Sequence, residues 1–378
     1  MRYLIKIILD KFIFFILFFF NLTNILLNIK KIVNADLIIN QNMRLGFGNI
    51  FMSIDLSQRL FKKKILFISF FDETRFHNEK IFDFLNAEKI ILKTSIYFKF
   101  IKKKFGEYER HDQNITQKEN PYQKILSSII NYFKNKKCKL LNIPELYELA
   151  NKKIKKKHIK KFNLVFTKMR YLNYYYYLID KKPKLKINFK DPIIKKLLKT
   201  KGPSKSVCIY IRKKSYINKY TKNYTLYAKA IKYFNKKKFT IYIVGEIDEF
   251  VKKYKKLAKS FNTPIINGKF DKNINLGMQL ICDYYLGDSG GGSWFAMYKK
   301  ASILIGSPEF YVRPNTKAFN YQLYYKNKKV NRKSYMYKKI KNKIIQNDDV
   351  GHPKFLNSLG VKVMPENENK IMKSIKKI

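Results

Sequence analysis

The stretch Cys282–Pro308, CDYYLGDSGGGSWFAMYKKASILIGSP, constrains this chain more than any other. It reads as strand, tight loop, helix, strand. Asp283-Tyr-Tyr-Leu286 is short, aromatic and apolar, as a buried strand is, and Ser302-Ile-Leu-Ile-Gly306 is a second one, stopped by Pro308. Between them Asp288 and Ser289 lead into Gly290, Gly291 and Gly292. The chain leaves through Ser293 and Trp294, its sole tryptophan, with helix-like patterning as far as Tyr298. Glycines let backbone approach a ligand closely, and a helix N-terminus offers unpaired N–H groups and partial positive charge to a phosphate. A purely structural Gly-rich turn is the alternative. The flanking strands and the Asp-Ser lead-in favour the ligand loop.

Apolar runs alternate with helical patterns on both sides of the chain's middle. Val207–Ile211 reads as a strand, Tyr224–Phe234 as a helix, and Phe239–Val244 as a strand ending in Gly245-Glu246. Phe250–Phe261 then reads as a helix and Pro264–Ile266 as a short strand. Earlier, Ala35–Ile39 opens a strand that leads through Arg44-Leu-Gly46-Phe-Gly48-Asn49 into a helix over Phe51–Leu60 and a strand over Lys64–Phe70. This is a βαβ unit with glycines at its first turn. Phe51 stands where a dinucleotide fingerprint has its third glycine, so NAD is poorly supported. Asp72 and Glu73 come just after the second strand, and His77 lies in the helix pattern that begins at Thr74, near the strand's carboxyl end. Lysine-rich helical stretches come next, including Pro121–Lys134 and Pro144–Lys157. Alternating strands and helices predict an α/β fold of two Rossmann-like domains with mainly parallel sheets, plus an N-terminal hydrophobic helix. Lys201-Gly-Pro-Ser-Lys205 is the expected linker. The expected division is 1–34 for the hydrophobic helix, 35–200 and 201–310 for the two domains, and 311–378 for a basic C-terminal extension.

Composition narrows the function classes. A chain of 378 residues that is 46% hydrophobic can bury two ordinary cores. Its formal net charge of +53 suits nucleic acid or anionic lipid, yet only nine of the 80 basic residues are arginine. Lys, Asn, Ile, Tyr and Phe all have A/T-rich codons, so genome bias is the simplest source of the charge, and nucleic acid is not expected as a partner. Three scattered cysteines and four histidines make neither a disulfide framework nor a zinc site, so no metal is expected and a reducing compartment fits. In the first segment Phe12–Phe20 is strongly apolar, but Asn21, Thr23, Asn24 and Asn28 interrupt its continuation. A spanning helix needs ~20 apolar residues. Lysines on both flanks leave orientation undecided, and no small-residue cleavage site is present. Three readings stand: a helix lying on a membrane, a signal anchor, or a core helix. The corresponding expectation is a cytoplasmic protein, peripheral to or anchored at the inner membrane face.

Arg212 ends the strand Val207–Ile211, in a chain where lysine is everywhere and arginine scarce. A guanidinium holds phosphate or carboxylate in a two-point contact that lysine does not copy. With Tyr210-Ile-Arg-Lys-Lys-Ser-Tyr216, the Arg44–Asn49 glycine loop and Asp283–Pro308 in view, the chain resembles GT-B glycosyltransferases, most closely the fucosyltransferase-like branch. Tyr210 stands where that branch usually has histidine, and Lys213 where arginine is common. The resemblance implies a nucleotide-diphosphate sugar, GDP-fucose among the candidates, bound between two Rossmann-like domains without metal or cofactor. The domain over 35–200 would take the acceptor, a glycan or a lipid-linked cell-envelope molecule. It implies donor binding by Gly46, Gly48, Asn49, Arg212, Lys213, Gly245, Glu246, Asp288, Ser289, Gly290, Gly291, Gly292, Ser293 and Trp294. Asp72, Glu73 and His77 are the candidates for the base that an inverting transfer needs. The competing readings are another Rossmann nucleotide-binding enzyme and a non-catalytic basic protein that binds membranes or nucleic acid.

Overall fold

In the first half of the chain, Ile38-Ile39 and Leu66-Phe67-Ile68 are buried without alternation, as strands covered on both faces must be. The computed structural model describes residues 2–41, 47–61, 63–71, 79–93, 95–97, 102–104, 121–152, 186–211, 224–245, 247–254, 272–288, 299–307, 316–320, 322–331, 333–346, 353–364 and 367–378. These fall in two compact units, Met1–Leu172 with Lys184–Asn188, and Asn173–Pro183 with Phe189–Ile378.

The first unit runs α1 (Arg2–Leu27), α2 (Ile29–Val33), β1 (Leu37–Gln41), α3 (Phe47–Leu60), β2 (Ile65–Phe71), α4 (Lys80–Phe84) and β3 (Glu88–Lys93). It continues with β4 (Ser95–Tyr97), β5 (Lys102–Lys104), α5 (Pro121–Phe133), β6 (Lys139–Asn142) and α6 (Ile143–Lys152). The sheet order is β3-β2-β1-β6, every pair parallel, while β4 and β5 form a small antiparallel ribbon. Asn142 ends β6 and starts α6 in one step. Its side chain accepts from the Glu145 N–H at 2.9 Å while the Glu145 carboxylate accepts from the Asn142 N–H at 2.8 Å, a reciprocal cap.

One side of the N-terminal helix α1 packs into the core of the first unit. Leu17 and Ile25 of α1 are fully buried in one cluster with Ile68, Leu92, Leu126 and Ile130, and Ile13 is buried as well. The asparagines that break the apolar run seal the open side of β3, which lies at the end of the described sheet. Asn21 bridges Lys93 in both directions, donating to its carbonyl and accepting from its N–H, each at 2.8 Å. Asn24 donates to the Ile91 carbonyl at 2.6 Å. These side chains stand in for a missing neighbour strand, which is one way an edge is protected. Among the described residues, no helix is long and apolar enough to cross a membrane.

The second unit runs α7 (Pro192–Lys201), β7 (Ser206–Ile211), α8 (Tyr224–Lys236), β8 (Thr240–Gly245), α9 (Asp248–Lys253), α10 (Lys272–Ile281), β9 (Tyr284–Asp288), β10 (Ala301–Ser307) and β11 (Thr316–Asn320). The order is β11-β10-β9-β7-β8, all parallel. Asp191 caps α7 by accepting from the Ile193 N–H at 2.9 Å, with Pro192 at the first helical position. Residues 202–205, inside the stretch expected to be a linker, make the turn from α7 into β7 within this unit.

The C-terminal portion, expected as a basic extension, carries described elements of its own. It comprises β12 (Gln322–Tyr325), β13 (Lys328–Lys329), α11 (Tyr335–Gln346), α12 (Pro353–Ser358), β14 (Val361–Met364) and α13 (Glu368–Ile375). The three strands form an antiparallel sheet ordered β13-β12-β14, and Ile371 and Ile375 of α13 join the core around β7 and α8.

Candidate functional site

Parallel pairing puts the carboxyl ends of β7, β8, β9 and β10 along one edge of the second sheet. From β7 the chain moves to β8 on one side, then returns to place β9 on the other. The crevice of an open α/β sheet forms at such a reversal, outside the strand carboxyl ends. Here the reversal lies between β7 and β9. In sequence, Arg212 is the next residue after β7, and Ser289-Gly-Gly-Gly-Ser-Trp294 comes directly after β9. The two stretches read as anion-binding therefore continue from adjacent strand ends at the switch point.

Two glycines set the spacing of those ends. Gly287 pairs with Tyr210 on one side and Leu304 on the other. A Cβ added to Gly287 would stand 2.5 Å from the Tyr210 carbonyl oxygen and 2.7 Å from its Cβ. Gly245, opposite Ile211, has φ +101°, a conformation that favours glycine, and a Cβ there would overlap the Ile211 carbonyl oxygen. The same Cβ would lie 3.2 Å from Tyr210 Cε2. Tyr210 thus occupies the room left by glycines on both neighbouring strands, with its ring 6.4 Å from that of Tyr285. Gly245 has this steric reason whatever ligand approaches it.

The first sheet has the same construction. Its order reverses between β1 and β6, and residues 42–46 lead from β1 into α3, whose first turn holds Gly48 and Asn49. Asp72 is the next residue after β2. Of the expected site residues, Gly48, Asn49, Gly245 and Asp288 fall on described backbone, Asp288 as the last residue of β9. Gly46, Asp72, Glu73, His77, Arg212, Lys213, Glu246, Ser289, Gly290, Gly291, Gly292, Ser293 and Trp294 lie outside the described residues. Among the described residues no group of His, Cys, Asp and Glu side chains is arranged to hold a metal ion. A groove of ≈ 640 Å³ between α5 and β6, lined by Lys124, Ser127, Asn131, Lys134 and Lys139 among others, contains none of the expected site residues.

A second polar cluster, unforeseen from sequence, fastens the opposite, amino-terminal edge. Asp283 accepts from Lys201 Nζ at 3.0 Å, from the Ser206 N–H at 3.1 Å and from Ser206 Oγ at 3.0 Å. Burial opposes its ionisation, but the bonds from Lys201 and Ser206 outweigh burial and hold its carboxyl below the usual range. Lys299, buried, donates to the Leu280 carbonyl at 2.6 Å. Burial pushes its ammonium down to about 8, against the opposing pull of Cys282, Cys208 and Asp283. Burial also raises the Cys208 thiol well above its ordinary value, and neighbouring Cys282 adds to that rise. The cluster packs strand starts together and lies away from the switch-point edge.

Linkage fixes the sign for Lys299. Its folded pKa is depressed, so its contribution is fully favourable above the unfolded value of 10.5 and is lost as pH falls through about 8. Lys299→Met should therefore stabilise the protein at pH 7 by about 2 kcal/mol, roughly 3 from the relieved charge burial less about 1 for the lost hydrogen bond. That advantage should vanish by about pH 10, where the parent lysine is neutral when folded. Urea denaturation of parent and variant at both pH values checks this. An unchanged difference would show that the buried amine does not titrate.

A scan against protein-family models gives no match, and a search of curated proteins gives none. Among solved structures, a glycosyl transferase family 9 protein from Veillonella parvula is similar at TM-score 0.49 and 12% identity, covering 91% of this chain and 97% of that one. The E. coli heptosyltransferase WaaC, solved with ADP-2-deoxy-2-fluoro heptose, is similar at TM-score 0.38 and 10% identity, covering 82% of this chain and 99% of that one. E. coli ADP-heptose lps heptosyltransferase II is similar at TM-score 0.41 and 8% identity, covering 83% of this chain and 99% of that one. At these scores the likenesses decide neither fold family nor function, and what is established from the chain itself is an α/β fold with two parallel sheets, each reversing strand order beside a glycine-bearing segment.

Proposed function

We propose that this protein is a glycosyltransferase that moves a sugar from a nucleotide-diphosphate donor to a hydroxyl of a glycan or cell-envelope acceptor. The observation that carries the reading is the reversal of strand order between β7 and β9, with Arg212 and the Ser289–Trp294 loop continuing from those adjacent ends. Attack of the acceptor oxygen on the anomeric carbon breaks the bond to the diphosphate, and negative charge grows on the departing group. Arg212 and backbone N–H groups of the glycine loop stabilise that charge, with Lys213 assisting, and no metal is required. The acceptor proton passes to a base drawn from Asp72, Glu73 and His77, which belong to the segment after β2.

Isothermal titration with GDP-fucose, ADP-heptose, other nucleotide-diphosphate sugars and NAD selects the donor class. Arg212→Lys keeps the charge and loses the planar two-point contact, so affinity for the donor should fall by about 1–3 kcal/mol, roughly five- to 150-fold. Unchanged affinity removes Arg212 from the site. Binding of NAD with no nucleotide sugar bound would instead mark an oxidoreductase.

A further inference from the structure

We propose that the outward face of α1 seats this protein on an anionic lipid bilayer. Helix α1 is apolar on two sides. One side, Ile13, Leu17 and Ile25 with Asn21, is buried in the core of the first unit. On the other, Phe12, Phe15 and Phe19 are exposed by 60%, 56% and 59%, and Leu26 and Leu27 continue the ridge. Spacings of three, four and seven residues put Phe12, Phe15, Phe19 and Leu26 on one helix face. A helix docked by one stripe normally shows water a polar face. An exposed aromatic ridge of this kind, with Thr23 between Phe19 and Leu26, marks a contact surface.

Charge selects the occupant. Across residues 1–34 Arg2, Lys6, Lys11, Lys30 and Lys31 oppose the single acid Asp10. In the structure Lys11, Lys30 and Lys31 are exposed. Anionic headgroups attract such flanking lysines while the aromatic ridge enters the acyl boundary, the pattern of an interfacial helix. A second copy of this chain, itself carrying a net charge of +53, would be repelled. The inference stands on the ridge and its lysines, independently of the transferase reading.

Flotation of the full chain with vesicles of phosphatidylglycerol and phosphatidylcholine tests it, with pure phosphatidylcholine as comparison. The protein should float with the mixed vesicles and bind the neutral ones about tenfold more weakly or worse. Phe12→Gln/Phe15→Gln/Phe19→Gln changes only exposed side chains, so it should keep its melt while losing about tenfold or more of its vesicle binding. A gain-of-signal variant, Phe15→Trp, should shift its added emission to the blue on mixing with anionic vesicles. The proposal is overturned if the parent stays unbound, if the triple variant floats as the parent does, or if the Phe15→Trp emission does not move. Light scattering that shows a dimer, dispersed by the triple variant, with no vesicle binding would assign the ridge to a second copy and equally overturn it.

Discussion

Asp55→Leu should destabilise the first unit by about 3–5 kcal/mol, a large part of the total stability of an ordinary domain. Asp55 and Arg59 lie one turn apart on α3, with Nε and Oδ2 at 2.8 Å and both side chains only 2% exposed. Removing the carboxylate leaves a guanidinium in a place where water cannot replace its partner. The arginine then loses the carboxylate that offsets part of its desolvation, at a side chain only 2% exposed, and this puts the cost above that of a surface pair. Asp55→Leu/Arg59→Met should recover most of the loss, because the second change removes the buried charge as well. Urea midpoints of the two variants check the pair. A single-variant loss below about 1 kcal/mol would show that the ion pair is not what holds α3. The same helix carries Gly48 and Asn49 in its first turn, so the single variant should also weaken whatever the segment after β1 binds.

Burial decides which elements are readable in the sequence. Strands β1, β2, β7, β8, β9 and β10 are covered on both faces and appear in the sequence as short apolar runs stopped by turn residues. Strands β3 and β6 end the described sheet, and the lysines at their ends, as in Glu88-Lys-Ile-Ile-Leu-Lys93 and Lys139-Leu-Leu-Asn142, disguise them. In α1 the asparagines look like defects in an apolar span, because one sequence cannot show that the carbonyls of Ile91 and Lys93 await them. The i,i+4 spacing of Asp55 and Arg59 is legible. Its burial, which gives the pair its energy, depends on neighbours far away in sequence. The site is legible as residue types just past strand ends: a rare arginine, a glycine run, an acidic pair. Gly287 carries a quieter signal, since a lone glycine inside a strand pattern points to close backbone approach. It acquires meaning only with Tyr210 beside it.

Gly287 and Gly291 should respond differently to the same substitution, and the contrast separates a packing glycine from a ligand glycine. Gly287→Val puts a branched side chain where the Tyr210 carbonyl oxygen, Cβ and N lie 2.5, 2.7 and 2.9 Å from a bare Cβ. Two of those atoms are backbone in the next strand, so no rotamer change relieves the overlap. β7 and β9 must separate, breaking the register that sets their carboxyl ends together. The expected cost is about 3 kcal/mol or more, read as a lowered melting midpoint, with donor binding lost as a consequence. Gly291 belongs to the segment after β9 and, on the proposed function, lets backbone N–H groups reach a diphosphate. Gly291→Val should keep a cooperative melt within about 1–2 kcal/mol of the parent, yet abolish nucleotide binding and sugar transfer. Differential scanning calorimetry and isothermal titration on both variants give the comparison. Full transfer activity in Gly291→Val would sink the ligand role of the loop. Equal destabilisation of both variants would make Gly291 a structural turn residue, leaving the anion site to Arg212 and its neighbours.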